Sequence, residues 1–200
     1  AVTVCTADEY ESKEPTATSD RVCSTHMAEC PAGQYSIAEP NAEDDRQCEA
    51  WRTCDVGQRM SQDGTATTNR QCEACSGDTF QTAASHTLTS CSDRRTCGKG
   101  ERVLSQGSAS SDRTCQACGA DTYQDSATHR SATCKAQTTC AAGEKISSDS
   151  KTAARACSAC GANQWQDATG HRKQACKTQT TCGVGEKISA DSKTTARSCS

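Results

Sequence analysis

A small disulfide-rich fold of short β-strands and turns, drawn out as an elongated tandem-repeat rod with almost no hydrophobic core, is what this sequence of 200 residues predicts. Three observations carry that expectation. Leu, Ile, Val and Phe together make only 12 residues, 6% of the chain, where less than about 20% ordinarily marks a chain that does not fold on burial alone. Eighteen cysteines stand in the place of the missing apolar residues. The stretch from Cys118 to Ala159 is then said again from Cys160, with 26 of 41 comparable positions identical; a fixed period of this kind marks an array of mutually supporting units.

Ordering the backbone costs about 1–2 kcal/mol per residue, and so little apolar surface does not offset it. Closing a loop of about 15 residues with a disulfide is worth roughly 3 kcal/mol in the chain-entropy model, so cross-links take over the role of a core. An even number of regularly spaced cysteines implies an oxidising compartment, extracellular or at the cell surface. The net charge is only −3, with acidic and basic residues interspersed. No basic stripe suggests nucleic acid, and no apolar run approaches the roughly 20 residues of a membrane span. Asn41, Asn69 and Asn163 all lack a Ser or Thr two places on, so the N-linked acceptor motif is absent. O-linked glycans on the Thr-rich runs are an expected addition.

Along the chain, long gaps of 15–17 residues between cysteines alternate with short gaps of 2–6. Pro15 and the Thr-Ser-Asp run before Cys23 signal turns. Ser61–Thr65, with its Asp-Gly pair, predicts a tight turn between two extended pieces, because Asp-Gly tolerates positive φ. No module is long enough for a packed helix, so short strands and turns are expected throughout.

Two module types alternate. One carries an aromatic five residues after its first cysteine, at Tyr35, Phe80, Tyr123 and Trp165, with a His six residues later at His86, His129 and His171. The other carries Gly three residues after its first cysteine, at Gly57, Gly100, Gly143 and Gly185. Its five members have an Arg two places before the closing cysteine: Arg21, Arg70, Arg113, Arg155 and Arg197.

Candidate sites weigh in favour of structure. The C-x2-C pairs Cys72/Cys75, Cys115/Cys118 and Cys157/Cys160 resemble zinc or thiol-redox motifs, but the next pairs are spaced C-x5-C and every cysteine can find a partner. The recurrent His residues suit either a metal relay or packing against the aromatic ring with a hydrogen bond to a carbonyl; packing is preferred, and neither cofactor nor metal is expected. The run Glu43-Asp44-Asp45 is a solvated turn rather than a calcium site. The Arg before each closing cysteine either stacks on a neighbouring aromatic ring or is solvated. No catalytic residue is assigned, since an enzyme needs titratable groups converging in a pocket that a thin rod does not provide.

The pattern C-x4-[FYW]-x5-H-x4-C, as in Cys75-Phe80-His86-Cys91, resembles the first module of tumour necrosis factor receptor cysteine-rich domains. The endings Thr16–Cys23, Thr65–Cys72 and Ser108–Cys115 resemble the close of that family's second module, in a variant with one disulfide. Ephrin-receptor-like repeats are the structural runner-up. Spacing alone leaves two connectivities open, bridging the long gaps or bridging the short ones, the latter leaving Cys5 and Cys199 over. Bridged Cα atoms sit about 4.4–6.8 Å apart, and small rings strain that geometry. The inferred scheme, which the resemblance supports, is Cys5–Cys23, Cys30–Cys48, Cys54–Cys72, Cys75–Cys91, Cys97–Cys115, Cys118–Cys134, Cys140–Cys157, Cys160–Cys176 and Cys182–Cys199.

The expected organisation is a partial repeat at 1–29 and repeats at 30–74, 75–117, 118–159 and 160–200, within an array that continues at both ends. The resemblance implies receptors that grip trimeric cytokines with the loops of their middle domains. Near-identity of the last two repeats instead favours a protein whose length is what matters. The leading expectation is therefore a non-catalytic extracellular structural protein, a stalk, filament or surface fibre with self-association. The alternative is a receptor-like ectodomain that binds a protein ligand.

Overall fold

The second cysteine of each of the five modules that open at Cys5, Cys30, Cys54, Cys97 and Cys140 lies on a strand facing the residue six places after the first cysteine. Cys23 faces Glu11, Cys48 faces Ser36, Cys72 faces Met60, Cys115 faces Val103 and Cys157 faces Ile146. A disulfide and a two-stranded ladder thus close the same loop. The computed structural model describes residues 2–200, and none of them is helical.

The strands pair in order along the chain. They are β1 (Glu9–Lys13) with β2 (Val22–Thr25), β3 (Gln34–Ala38) with β4 (Gln47–Ala50), and β5 (Gln58–Gln62) with β6 (Gln71–Ala74). Next come β7 (Thr79–Phe80) with β8 (Ser92–Asp93), β9 (Glu101–Ser105) with β10 (Thr114–Ala117), and β11 (Thr122–Tyr123) with β12 (Lys135–Ala136). The last are β13 (Glu144–Ile146) with β14 (Cys157–Ala159) and β15 (Gln164–Trp165) with β16 (Lys177–Thr178). All eight pairs are antiparallel. The module from Cys182 to Cys199 keeps only an isolated bridge between Ile188 and Cys199.

Disulfides join Cys5 to Cys23, Cys30 to Cys48, Cys54 to Cys72, Cys75 to Cys91 and Cys97 to Cys115. The others join Cys118 to Cys134, Cys140 to Cys157, Cys160 to Cys176 and Cys182 to Cys199, leaving no free cysteine among the described residues. Cα–Cα distances are 5.5–5.9 Å, inside the range a relaxed bridge requires.

Two features differ from the sequence expectation. The module Cys30–Cys48 carries an aromatic yet folds like the glycine type. It has the same bulged hairpin as β1–β2 and β5–β6, and its Gly33 has φ 88° beside 76° at Gly57. Tyr35 therefore takes the place held by Arg59 in the next module: Tyr35 faces Glu49, and Arg59 faces Glu73. The turn after β5 also moves. Gly64 is not among the residues with positive φ; an added Cβ there would meet the Trp51 ring at 2.5 Å, so the glycine admits the indole. The chain reverses at Thr65–Thr68 instead, where Thr65 Oγ1 accepts the Thr67 and Thr68 N–H groups, a hydroxyl-capped turn.

Contacts gather the chain into two compact units, Ala1–Arg94 with Gly107–Asp112, and Arg95–Gln106 with Arg113–Ser200. The turn at 107–112 belongs with the first because Gln81 N–H donates to Ala109 O and Arg94 Nε to Ser108 O.

Within the second unit one joint is repeated. Cys97 exchanges both backbone hydrogen bonds with His129, and Cys140 does the same with His171. Gly100 donates to Gln124 O and accepts from Cys118 N–H; Gly143 stands in the same relation to Gln166 and Cys160. Both glycines have left-handed φ, 76° and 81°, and the turn of the following glycine-type module presses on each, with Thr152 and Lys193 carbons 3.2 and 3.3 Å from where a Cβ would sit. Glycine is required there twice over. The joint N–H of Val103 and Ile146 goes to Ser131 O and Lys173 O, burying those side chains to 3% and 2% exposure. Cystine, one aliphatic residue and a buried Gln make up each small core.

Several carboxylates hold turns together and are thereby kept below their usual pKa. Asp45 is held down mainly by the Met27 N–H, Asp63 by the Gly64 N–H, Asp125 by Lys135 and Asp167 by Lys177. A lowered folded-state pKa contributes stability that is complete above the unfolded value, about 3.9 for Asp, and fades as pH falls through the folded value. The midpoint of thermal unfolding is expected to stay level from about pH 7 to 5 and to decline below about pH 4. A midpoint that rises on acidification would contradict these assignments.

Candidate binding surface

The histidines in phase with the aromatics are committed to backbone. His129 Nε2 lies 3.0 Å from Gly98 O and its Nδ1 accepts the Ser131 N–H at 3.1 Å. His171 repeats this with Ala141 O at 3.2 Å and Lys173 N–H at 3.1 Å. Both ring nitrogens of each histidine are thus within hydrogen-bond reach of backbone groups. His86 Nδ1 accepts the Leu88 N–H, while its Nε2 is buried without a partner.

The rings of two aromatic-type modules, Tyr123 and Trp165, take cations. Lys135 Nζ sits 5.8 Å from the Tyr123 ring and 2.7 Å from Asp125; Lys177 Nζ sits 4.4 Å from Trp165 and 2.8 Å from Asp167. Cation–π attraction and a lysine–aspartate pair hold each Lys across the hairpin. Phe80 shares the place of Tyr123 and Trp165, but Ser92 faces it where those rings face Lys135 and Lys177. The stacked ring pair among the described residues is elsewhere, Tyr10 on His26 with centroids 5.5 Å apart.

Of the arginines before each closing cysteine, Arg70 lies 5.5 Å from the Trp51 ring. Arg113 and Arg155 are neither stacked nor solvated, but 3% and 5% exposed. Arg113 Nη1 donates to Arg95 O, and Arg155 Nε and Nη2 both donate to Ser147 O. The guanidinium at the closing end of the hairpin thus bonds a joint carbonyl in one module and a hairpin carbonyl in the other.

Metal-like groupings occur at Cys97/Glu101/Cys115, Cys140/Glu144/Cys157 and Cys182/Glu186/Cys199. Every sulfur in them is in a disulfide, so no thiolate is offered. Glu43 and Asp44 donate their N–H groups to Asn41 Oδ1 in an Asx turn, and Asp45 accepts the Met27 N–H. That makes the acidic run a braced turn.

Three concavities suit contact with a partner. A cleft of about 490 Å³ beside His26 is lined by Met27, Pro40 and Arg46. A groove of about 310 Å³ is lined by Arg59, Thr79 and Thr89, and one of about 330 Å³ by Arg102, Thr122 and Thr133. The last two are equivalent places in successive repeats, one in each unit. Val22, Ile37, Val56, Leu88 and Leu104 are 47–58% exposed.

The small net charge hides a segregation that the total does not reveal. The first unit has 7 Lys and Arg against 17 Asp and Glu, a net −10; the second has 15 against 8, a net +7.

Comparison with known proteins adds one decisive match. Residues 30–72 fit the family model of the TNFR/NGFR cysteine-rich region. Residues 30–72 are thus similar to tumour necrosis factor receptor-type cysteine-rich repeats. The match covers Cys30–Cys48 and Cys54–Cys72, two consecutive glycine-type hairpins. Such repeats are typically non-enzymatic binding modules of extracellular or secreted regions. No curated protein matches. Among solved structures, the human RANKL/OPG complex is similar at 18% identity and a TM-score of 0.36, covering 85% of this chain and 98% of that one. Equine lentivirus receptor 1 is similar at 21% identity and a TM-score of 0.32, over 54% of this chain and 95% of that one. A mouse RANKL–OPG complex is similar at 21% identity and a TM-score of 0.29, over 66% and 89%.

Proposed function

We propose that this chain is a non-catalytic ligand-binding segment of a receptor-like ectodomain, and that its ligand is a protein. The observation that carries this is the match of residues 30–72 to the receptor cysteine-rich region. The fibre expected from the near-identity of the last two repeats gains nothing from that match, which favours the receptor-like alternative.

The physical setting agrees with protein binding. A chain pinned by local disulfides loses little further entropy when its loops dock, so more of the contact energy is left for affinity. Val22, Ile37, Val56 and Leu88 offer separate apolar contacts on an otherwise polar surface, the pattern from which a few anchors can dominate an interface.

The test is biolayer interferometry of a bivalent fusion of the chain against purified trimeric cytokine-type ligands, the class the family resemblance implies. Saturable binding is expected, weakened about tenfold or more by Val56→Glu if this exposed side chain is an anchor. Regular filaments of the chain in electron microscopy, together with no binding across the panel, would overturn the proposal.

A further inference from the structure

We propose that the second unit binds a linear sulfated or carboxylated polysaccharide through Arg102, Lys145 and Lys187. The inference goes beyond the protein-ligand reading and does not depend on it. It begins at one position, five residues after the opening cysteine of the modules at Cys54, Cys97, Cys140 and Cys182, occupied in turn by Arg59, Arg102, Lys145 and Lys187.

What faces each cation changes between the units. In the first, Arg59 meets Glu73 at 2.7 Å, an ion pair that cancels its charge. In the second, Arg102 meets the Gln116 side-chain carbonyl at 2.7 Å, Lys145 faces Ser158 and Lys187 faces Ser200. Three successive repeats therefore keep a cation at this position with no acid opposite. The joint between them recurs in the same hydrogen-bond register at Cys97–His129 and Cys140–His171, so Arg102 and Lys145 stand at equivalent backbone positions.

The groove beside Arg102 specifies the class of anion. Its lining adds the hydroxyl-bearing Thr122 and Thr133 to the guanidinium, with Ala132 O 3.4 Å from Arg102 Nη1. A planar guanidinium matches a sulfate or carboxylate with two parallel hydrogen bonds, and threonine hydroxyl oxygens suit sugar hydroxyls. The groove offers no aromatic anchor of the kind that dominates protein interfaces. A polymer with charge at regular intervals also fits cations at regular intervals, and the net +7 of the unit draws it in.

The experiment uses the full chain and a heparin-derived oligosaccharide in isothermal titration, at about 50 mM and about 300 mM NaCl to vary screening. Binding is expected at the lower salt and is expected to weaken steeply at the higher. The triple variant Arg102→Gln, Lys145→Gln, Lys187→Gln should bind about tenfold more weakly, roughly two- to threefold per cation. Lys13→Gln, in the acidic unit, should change nothing. Circular dichroism establishes that each variant is folded. No binding at the lower salt, or a triple variant equal to the parent, would overturn the proposal. So would salt-dependent self-association in sedimentation with no oligosaccharide binding, which would assign the basic unit to the acidic unit of a second copy. Loss of protein-ligand binding in the interferometry leaves this result untouched.

Discussion

Replacing Cys97 and Cys115 together by serine is expected to melt residues 97–134 while residues 54–74 remain folded. The bridge ties the segment before β9 to β10, and Cys97 is fully buried. Removing a native disulfide from a small domain costs about 2–5 kcal/mol, and here only Val103 is buried enough to compensate. Because Cys97 exchanges hydrogen bonds with His129 and Gly98 O meets the His129 ring, the loss should spread to the module Cys118–Cys134. Hydrogen exchange followed by mass spectrometry should show protection lost over 97–134 and kept over 54–74. Uniform loss across the chain would mean that the modules do not melt locally, and unchanged exchange would mean that the hairpin stands without its bridge.

Gln137→Ala should have the next largest effect. Gln137 is 3% exposed and makes three hydrogen bonds: Nε2 to Ser150 O and Ala153 O, and Oε1 from Arg155 N–H. Truncation leaves the buried Arg155 N–H without its acceptor and two carbonyls short of a donor, at a cost of about 2–4 kcal/mol. Gln179 repeats the arrangement with Ser192, Thr195 and Arg197. Earlier modules solve the same problem from the opposite side, where Asp45 and Asn69 accept the N–H of the Arg that follows and also that of Met27 or Arg52 in the joint. Residues 154 and 196, at the corresponding places, are Ala. The acceptor has moved from the hairpin to the joint. Adding Ala154→Asp to Gln137→Ala should therefore recover about 1 kcal/mol, read as coupling in a double-mutant cycle of denaturant midpoints. Strict additivity would refute the exchange of roles.

Much of the fold was legible because the cysteines are nearly the only residues that can hold it. Alternating gap lengths mark the modules, and the low aliphatic content rules out competing cores. The type of the Cys30–Cys48 module was legible too, from Gly33 three residues after Cys30 and Arg46 two before Cys48, but the ring of Tyr35 is the louder signal. The His phase shows that those residues matter without showing what they touch. His129 and Tyr123 stand six residues apart in one module, yet the imidazole is used by the preceding module's backbone and the ring by Lys135. Neither the exchange between Gln137 and residue 154 nor the segregation of charge is visible in totals. Each emerges only when equivalent positions are compared across repeats and the units are known.

The spans of the disulfides bear on how such a chain is made. Each bridge closes over 16 to 18 residues, so no cysteine waits for a partner far along the polypeptide. During synthesis, each loop can oxidise as soon as its second thiol enters the lumen, before the near-identical thiols of the next repeat arrive to compete. Vectorial emergence thus guards the two most similar repeats, at Cys118 and Cys160, against exchanging partners. Refolding the whole reduced chain at once removes that protection, and scrambled isomers are the expected product.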